Sequence, residues 1–112
     1  MKIVTAVVRP NKLSAVREAL RSMPGFPGMT VTKVEGCSAT DRHTAVNLRE
    51  QLTDFTPKVR IELVADDPVA DRAYDCILGV AKTGQMGDGL VWIIPVDRAS
   101  FVFKTVDQAA QP

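Results

Sequence analysis

The sequence predicts an α+β domain with the element order β-α-β-β-α-β. Two observations carry this prediction: segments rich in Val and Ile with period-two alternation, and two segments with the 3.6-residue periodicity of amphipathic helices. A third is size, because 112 residues with 46% hydrophobic content are typical of one globular domain, here residues 1–112.

The first half of the chain predicts a strand, a helix and a second strand. Residues 1–9 are rich in Val and Ile and predict a buried strand, which Pro10 ends. Asn11 is predicted to cap the helix that follows. The apolar face of this helix comprises Leu13, Val16, Leu20 and Met23, and its charged face Lys12, Arg17, Glu18 and Arg21. Residues 24–28, rich in Pro and Gly, end the helix, and residues 29–36 predict the second strand.

A polar segment separates this half from the next one. Residues 37–54 show almost no periodicity and predict a long loop, and loops of this length in a compact domain are usually functional or disordered. A strand is predicted at 56–65, with Val59, Ile61 and Leu63 on one face.

The second half continues with a helix and two shorter strands. Asp66, Asp67 and Pro68 are typical of a helix start, with an acidic cap. The predicted apolar face of this helix comprises Val69, Ala73, Cys76, Ile77 and Val80. A strand is predicted at 90–94, a short one at 100–104, and a flexible tail at 106–112.

This order of elements is typical of the ferredoxin-like fold, in which two helices cover one face of the sheet. The other face also carries apolar residues, and a chain of this length has nothing left to cover it. A second subunit is therefore predicted to cover the open face.

Composition excludes several classes of partner. The net charge is +1 without a basic run, so no nucleic-acid partner is expected. No apolar run reaches the roughly 18 residues of a membrane span, so no membrane insertion is expected. Residues 1–9 resemble a strand rather than a signal peptide, and Cys37 and Cys76 have no motif spacing, which favours free thiols and a cytoplasmic location.

The most informative segment is the glycine loop, defined here as Thr83 to Gly89 (TGQMGDG), which joins the second helix to the strand at 90–94. Glycine is costly in backbone entropy unless the chain turns sharply or approaches another group closely. Such a loop exposes N–H groups that can hold an anion, usually a phosphate. A simple helix-to-strand turn is the alternative.

Four regions of the sequence together resemble the PII signal-transduction family over nearly the whole chain. They are RPNKL and VREAL at 9–20, GMTVT at 28–32, DFTPKVRIE at 54–62, and TGQMGDG at 83–89. The resemblance implies a non-catalytic homotrimer of ferredoxin-like subunits that binds adenine nucleotides in clefts between subunits, often with 2-oxoglutarate. It also implies that loop 37–54, the equivalent of the family's T-loop, contacts a target protein.

The resemblance also implies the residues of the nucleotide site. Those expected to meet the base and ribose are Gly28, Met29, Thr30, Glu62 and Val64. Those expected to line the cleft are Val7, Gly36, Cys37 and Ser38. Gly87, Asp88 and Gly89 are expected to present the phosphate loop.

Several positions depart from the family pattern. Leu90 replaces a Lys after the glycine loop, Phe101 and Phe103 replace two Arg, and Ala39 replaces the loop Arg. These cations hold the β- and γ-phosphates in the family, and a charge-assisted hydrogen bond contributes roughly 1.5–3 kcal/mol. AMP or ADP is therefore predicted to be favoured over ATP. The candidates for replacement cations are Arg9, Lys58, Lys82, Arg98, Arg42 and Arg49.

The remaining departures concern the second ligand. Thr40 replaces the loop Gln that helps to hold Mg²⁺ and 2-oxoglutarate, and the loop has no tyrosine for nucleotidylation, since the only tyrosine is Tyr74. Lys58, which meets the 2-oxoglutarate carboxylate in the family, is retained and is a candidate for binding a smaller anion such as bicarbonate. PII-like proteins associated with carboxysomes and inorganic-carbon transport are a comparable branch.

Other interpretations stay open. Phe101 and Phe103 are typical of core or trimer packing more than of ligand stacking, and Glu62 can pair with Arg60. Competing functions are an ATP- and 2-oxoglutarate-sensing nitrogen-regulatory PII protein, a small oligomeric ferredoxin-like enzyme, and a trimeric metal-responsive protein. His43 is the only histidine, so catalysis and metal binding have little support in the sequence.

Overall fold

Four antiparallel strands and two α-helices form the part of the chain that the computed structural model describes, residues 1–37 and 55–104. They are β1 (Lys2–Val8), α1 (Leu13–Arg21), β2 (Thr30–Gly36), β3 (Thr56–Ala65), α2 (Asp67–Ala81) and β4 (Gly89–Pro95). The strands are arranged in the order β2-β3-β1-β4. This confirms the predicted ferredoxin-like α+β class. Most of loop 37–54, including Ser38, and the tail 106–112 lie outside the described residues.

The core lies between the sheet and the two helices. Val59, Ile61 and Leu63 of β3 are buried, as the period-two alternation predicts, and Ile61 is fully buried. α1 contributes Val16 and Leu20. No described helix is long and apolar enough to cross a membrane.

The buried face of α2 differs in part from the predicted one. The predicted Ala73 and Ile77 are buried, together with Ala70 and Ala81, whereas Val69, Cys76 and Val80 are only partly buried. Alanine carries a weak hydrophobic signal in a sequence, but its small side chain lets a helix approach a sheet closely. Burial raises the pKa of the Cys76 thiol, in keeping with the predicted packing role.

The two helix starts depart from the predicted capping. Asn11 is not a cap, because Pro10–Lys12 form a turn of 3₁₀-helix and Lys12 takes the N-cap position of α1. Asp66 does take the N-cap position of α2, but its side chain makes no capping hydrogen bond. Asp67 instead forms an ion pair of 3.2 Å with the N-terminal amine.

The strand predicted at 100–104 is wrong. Val102–Lys104 form a turn of 3₁₀-helix, and the register of β4 with β1 ends at Pro95. A run of three or four alternating residues is too short to distinguish a strand from a turn, and a strand also needs a neighbour to pair with.

The face of the sheet opposite the helices is open, and its β1–β4 half is apolar. Ile3 of β1 lies opposite Val64 of β3 and Ile94 of β4. Leu90 and Ile94 expose 65% and 50% of their surface. Large exposed leucine and isoleucine side chains on one face are typical of an interface, so the prediction of a covering subunit stays in place.

Gly89 joins the glycine loop to the sheet at a point where only glycine fits. Its φ is 108°, and an added Cβ would lie 1.8 Å from the carbonyl oxygen of Val7. β4 can therefore pair with β1 from its first residue only because position 89 has no side chain.

We expect Gly89→Ala to destabilise the fold by about 3 kcal/mol or more, because it combines an unfavourable φ with a backbone clash. The measurement is the free energy of unfolding from urea denaturation. The matched control is Gly79→Ala in α2, where no atom lies within 4 Å of the added Cβ; there we expect a gain of up to about 1 kcal/mol. Equal changes in the free energy of unfolding for Gly89→Ala and Gly79→Ala would contradict the role assigned to Gly89.

Candidate functional site

The glycine loop makes a compact turn between α2 and β4. Gly84 and Gly87 adopt φ values of 82° and 95°, a region that other residues rarely occupy. The amide of Asp88 donates to the Gln85 carbonyl at 3.3 Å and closes the turn. The backbone therefore requires at least two of the glycines that the sequence places here.

Asp88 holds this loop together from within. One carboxylate oxygen accepts the amide N–H groups of Thr83 at 2.7 Å and Gly84 at 2.9 Å, and the other accepts the Thr83 hydroxyl. These bonds, first the one from the Thr83 hydroxyl and then the one from its amide, hold the pKa of Asp88 well below its usual range. The carboxylate thus shapes the loop and stays ionised.

Two cations lie against the same loop. Arg9 donates from Nη2 to the Met86 carbonyl at 2.8 Å, and its Nε lies 3.5 Å from an Asp88 carboxylate oxygen. Lys58 donates from Nζ to the Gly87 carbonyl at 2.7 Å. The structure thus places two of the candidate replacement cations, Arg9 and Lys58, at the predicted phosphate loop.

Three other predicted cleft residues lie on the strands around these cations. A Cβ at Gly36 would meet Cγ of Lys58 at 3.2 Å, so Gly36 leaves room for that side chain. The Val7 carbonyl faces Gly89, and Cys37 is exposed directly after β2. We call this cluster the loop-side group; it comprises Val7, Arg9, Gly36, Cys37, Lys58, Gly87, Asp88 and Gly89.

The residues predicted to meet the base and ribose form a second cluster. All five line one open groove of about 410 Å³, which we call the base-side groove. Its lining residues are Ile3, Pro27, Gly28, Met29, Thr30, Glu62, Leu63, Val64 and Phe101. Glu62 also forms a 3.3 Å ion pair with Arg60, which is the alternative interpretation, and its role in the nucleotide site stays a prediction. Phe101 was not predicted to lie here, although its place at a family arginine position was a signal.

The two clusters are far apart within one chain. β3 carries members of both, and Lys58 precedes Glu62 by four residues and Val64 by six. At about 3.3 Å per residue, these separations correspond to about 13 and 20 Å. One copy of the chain therefore does not bring Lys58 and the glycine loop together with Glu62 and Val64.

A smaller groove of about 230 Å³ lies between α2 and β4. Its lining is mostly apolar and includes Ile77, Leu78, Ala81, Leu90 and Val91. In the described ranges, 1–37 and 55–104, no group of three or more His, Cys, Asp or Glu side chains is arranged to hold a metal ion.

Comparison with known proteins identifies relatives over most of the chain. Residues 1–105 match the family model described as "Nitrogen regulatory protein P-II". The chain is 42% identical over 100 residues to a nitrogen regulatory protein P-II of Rhizobium etli, with 88% of each chain covered. It is also 42% identical over 99 residues, with the same coverage, to P-II 1 of Escherichia coli K12 and to a P-II protein of Klebsiella oxytoca.

The network around Asp88 generates a pH prediction. Because the pKa of Asp88 is lower in the folded than in the unfolded chain, its stabilisation is fully present above the unfolded value of about 3.9. It is lost as the pH falls through the lower folded value. We expect Asp88→Asn to lower the urea midpoint at pH 7, because an amide cannot accept from all these donors at once. The difference in urea midpoint between Asp88→Asn and the unmodified chain should become smaller below about pH 4.

The matched control is Asp75→Asn, an exposed position on α2. Urea midpoints are measured for all three chains at a series of pH values between neutrality and acid. The role assigned to Asp88 would be contradicted if the loss of urea midpoint in Asp88→Asn stayed constant across this pH range, or if it equalled the loss in Asp75→Asn.

Proposed function

The chain belongs to the nitrogen regulatory protein P-II family, and we propose that it is a non-catalytic regulatory protein whose adenine-nucleotide site is completed between neighbouring copies. Members of this family are regulatory proteins that bind adenine nucleotides as effectors, act on target proteins and are typically trimers. We also propose a cytoplasmic location for this chain and a preference of its site for AMP or ADP over ATP.

The observation that carries the proposal is the division of the predicted site into two clusters. Lys58, which contacts the glycine loop, lies about 13 to 20 Å along β3 from Glu62 and Val64 of the base-side groove. The apolar open face of the sheet supports contact with further copies. In a closed ring, the base-side groove of one copy would face the loop-side group of the next copy and complete a cleft.

The loop-side group supports a preference for few phosphates. Its described cations, Arg9 and Lys58, already donate to loop carbonyls. Leu90, which follows the loop where the family carries a lysine, is apolar and 65% exposed. Fewer charge-assisted bonds then remain for a β- and a γ-phosphate, so AMP and ADP bind more tightly than ATP.

The same two cations support a small anion as second ligand. Because Nζ of Lys58 and the Arg9 guanidinium both contact consecutive loop carbonyls, Met86 and Gly87, their positive charges lie close together at the loop. A compact oxyanion such as bicarbonate needs only a local positive charge of this kind, whereas 2-oxoglutarate in the family also needs Mg-ATP as a scaffold. Inorganic-carbon control is the physiological setting that we infer.

Loop 37–54 would carry the signal to a partner protein. The residues that flank it lie beside the loop-side group, since Gly36 is paired with Thr56 and a Cβ at Gly36 would meet the Lys58 side chain. A nucleotide that touches Lys58 and Gly36 therefore touches the base of the loop. Binding that differs between loop conformations shifts their populations, and the partner binds one of them.

The preference is tested by calorimetric titration of the purified protein with AMP, ADP and ATP, each with and without bicarbonate. We expect ADP or AMP to bind more tightly than ATP, because the γ-phosphate adds negative charge for which Leu90 supplies no charge-assisted bond. Leu90→Lys should tighten ATP binding about tenfold. Leu90→Gln is the control, because it has similar length but no charge.

Tighter binding of ATP than of ADP by the unmodified chain would overturn the preference. Absence of binding by all three nucleotides would overturn the nucleotide site as a whole. A steady loss of nucleotide during the titration would instead favour an enzyme.

The shared cleft is tested by mixing two defective variants. Glu62→Ala damages the base-side groove and Lys58→Ala the loop-side group, and we expect each variant alone to bind ADP at least about tenfold more weakly. Co-expression at equal levels should restore about a quarter of the clefts. A cleft is intact only when its base-side groove comes from the Lys58→Ala variant and its loop-side group comes from the Glu62→Ala variant.

Light scattering checks that the variants form trimers, and mass spectrometry checks that the two subunits mix. Mixed trimers without any tight ADP site would show that both halves belong to one copy, contrary to the proposal.

A further inference from the structure

Phe101 forms one wall of the base-side groove. It is half-buried, and it lines the groove together with Met29 and Glu62. Its ring is supported by the edge of Phe103, with ring centroids 6.4 Å apart and an angle of 61° between the planes. Phe103 itself is 84% exposed and is not part of the groove lining. The sequence pattern does not distinguish the two phenylalanines, but only Phe101 lines the groove.

The groove has the chemistry of a base pocket and not of a phosphate pocket. Among its lining residues, all within the described part of the chain, the single charged one is the acid Glu62. A phosphate chain placed there would be repelled by that carboxylate and would meet apolar walls. A purine presents flat apolar faces that stack on aromatic rings, and its sugar hydroxyls can donate to a carboxylate.

We propose that Phe101 is a specificity-determining residue that stacks on the base, so that the affinity of this site comes mainly from the nucleoside and only weakly from the number of phosphates. This inference rests on the proposed nucleotide site and adds to it the residue that sets the ligand class. At position 101 the family carries an arginine that holds phosphates, whereas the phenylalanine ring of this chain offers a surface to the base. Phe103 buttresses Phe101 and does not meet the ligand.

The test is calorimetric titration with adenosine, AMP, ADP and ATP for the unmodified chain and three variants. We expect adenosine to bind within about tenfold of AMP in the unmodified chain. Phe101→Leu should weaken adenosine and AMP by a similar factor, about 5- to 100-fold, which is the usual effect of losing one base–aromatic stack. Phe101→Tyr keeps the ring and should stay within about threefold of the unmodified chain.

Phe103→Leu is the matched control, because it removes the neighbouring ring without changing the groove lining. We expect it to change the affinity for adenosine by less than about threefold. Thermal unfolding of each variant shows whether the fold is retained, and if Phe101→Leu does not fold, Phe101→Arg replaces it. Phe101→Arg should weaken adenosine, AMP, ADP and ATP by a similar factor, because it removes the ring from the base.

Two results would overturn this inference but not the nucleotide site. One is that Phe101→Leu binds adenosine and AMP as tightly as the unmodified chain does. The other is that Phe101→Leu and Phe103→Leu lose affinity for adenosine by the same factor. A loss confined to ATP would also do so, because it would place Phe101 at the phosphates. Failure of the unmodified chain to bind any of the four ligands would overturn the nucleotide site itself, together with this inference.

Discussion

The carboxylate of Asp88 organises the end of the sheet on which the loop-side group is built. It accepts hydrogen bonds from the amides of Thr83 and Gly84 and from the Thr83 hydroxyl, and it therefore draws the start of the glycine loop back onto its end. With the turn closed in this way, the carbonyls of Met86 and Gly87 point outward, where Arg9 and Lys58 donate to them. A single acid thus sets the positions of both cations.

The same constraint ties the loop to the sheet. Gly89 follows Asp88 directly and lies against the Val7 carbonyl, at a distance that excludes any side chain. β4 can then run beside β1 from its first residue and places Leu90 opposite Val7 on the open face. One turn therefore positions both the loop-side group and Leu90 at the edge of the open face.

The base-side groove is built by different means. Glycine at position 28 adopts a φ of 105° where the chain enters β2, and this turn brings Met29 and Thr30 beside Glu62 through the pairing of β2 with β3. Phe101 closes the groove from a segment after β4 that has left the sheet. In the proposed cleft, this groove would meet the base and ribose of a nucleotide, and the loop-side group of a neighbouring copy would meet its phosphates.

The sequence by itself determined the fold class and most of the element boundaries, because period-two and 3.6-residue patterns record which side of each element is buried. β3 shows this best, since its alternation predicts both its limits and its buried residues. The glycine content singled out the glycine loop, and the family resemblance implied five of the residues that line the base-side groove.

Only the tertiary structure decided which predicted site residues lie together, because distances between segments depend on strand register and not on local pattern. It separated Lys58 from Glu62, placed Arg9 at the loop, and distinguished Phe101 from Phe103. It also replaced the strand predicted at 100–104 with a 3₁₀ turn, since a strand depends on a pairing neighbour that local alternation does not supply. Capping likewise depends on the local backbone and on where a side chain points: Asn11 lies inside a 3₁₀ turn, and Asp66 takes the N-cap position without a side-chain capping hydrogen bond.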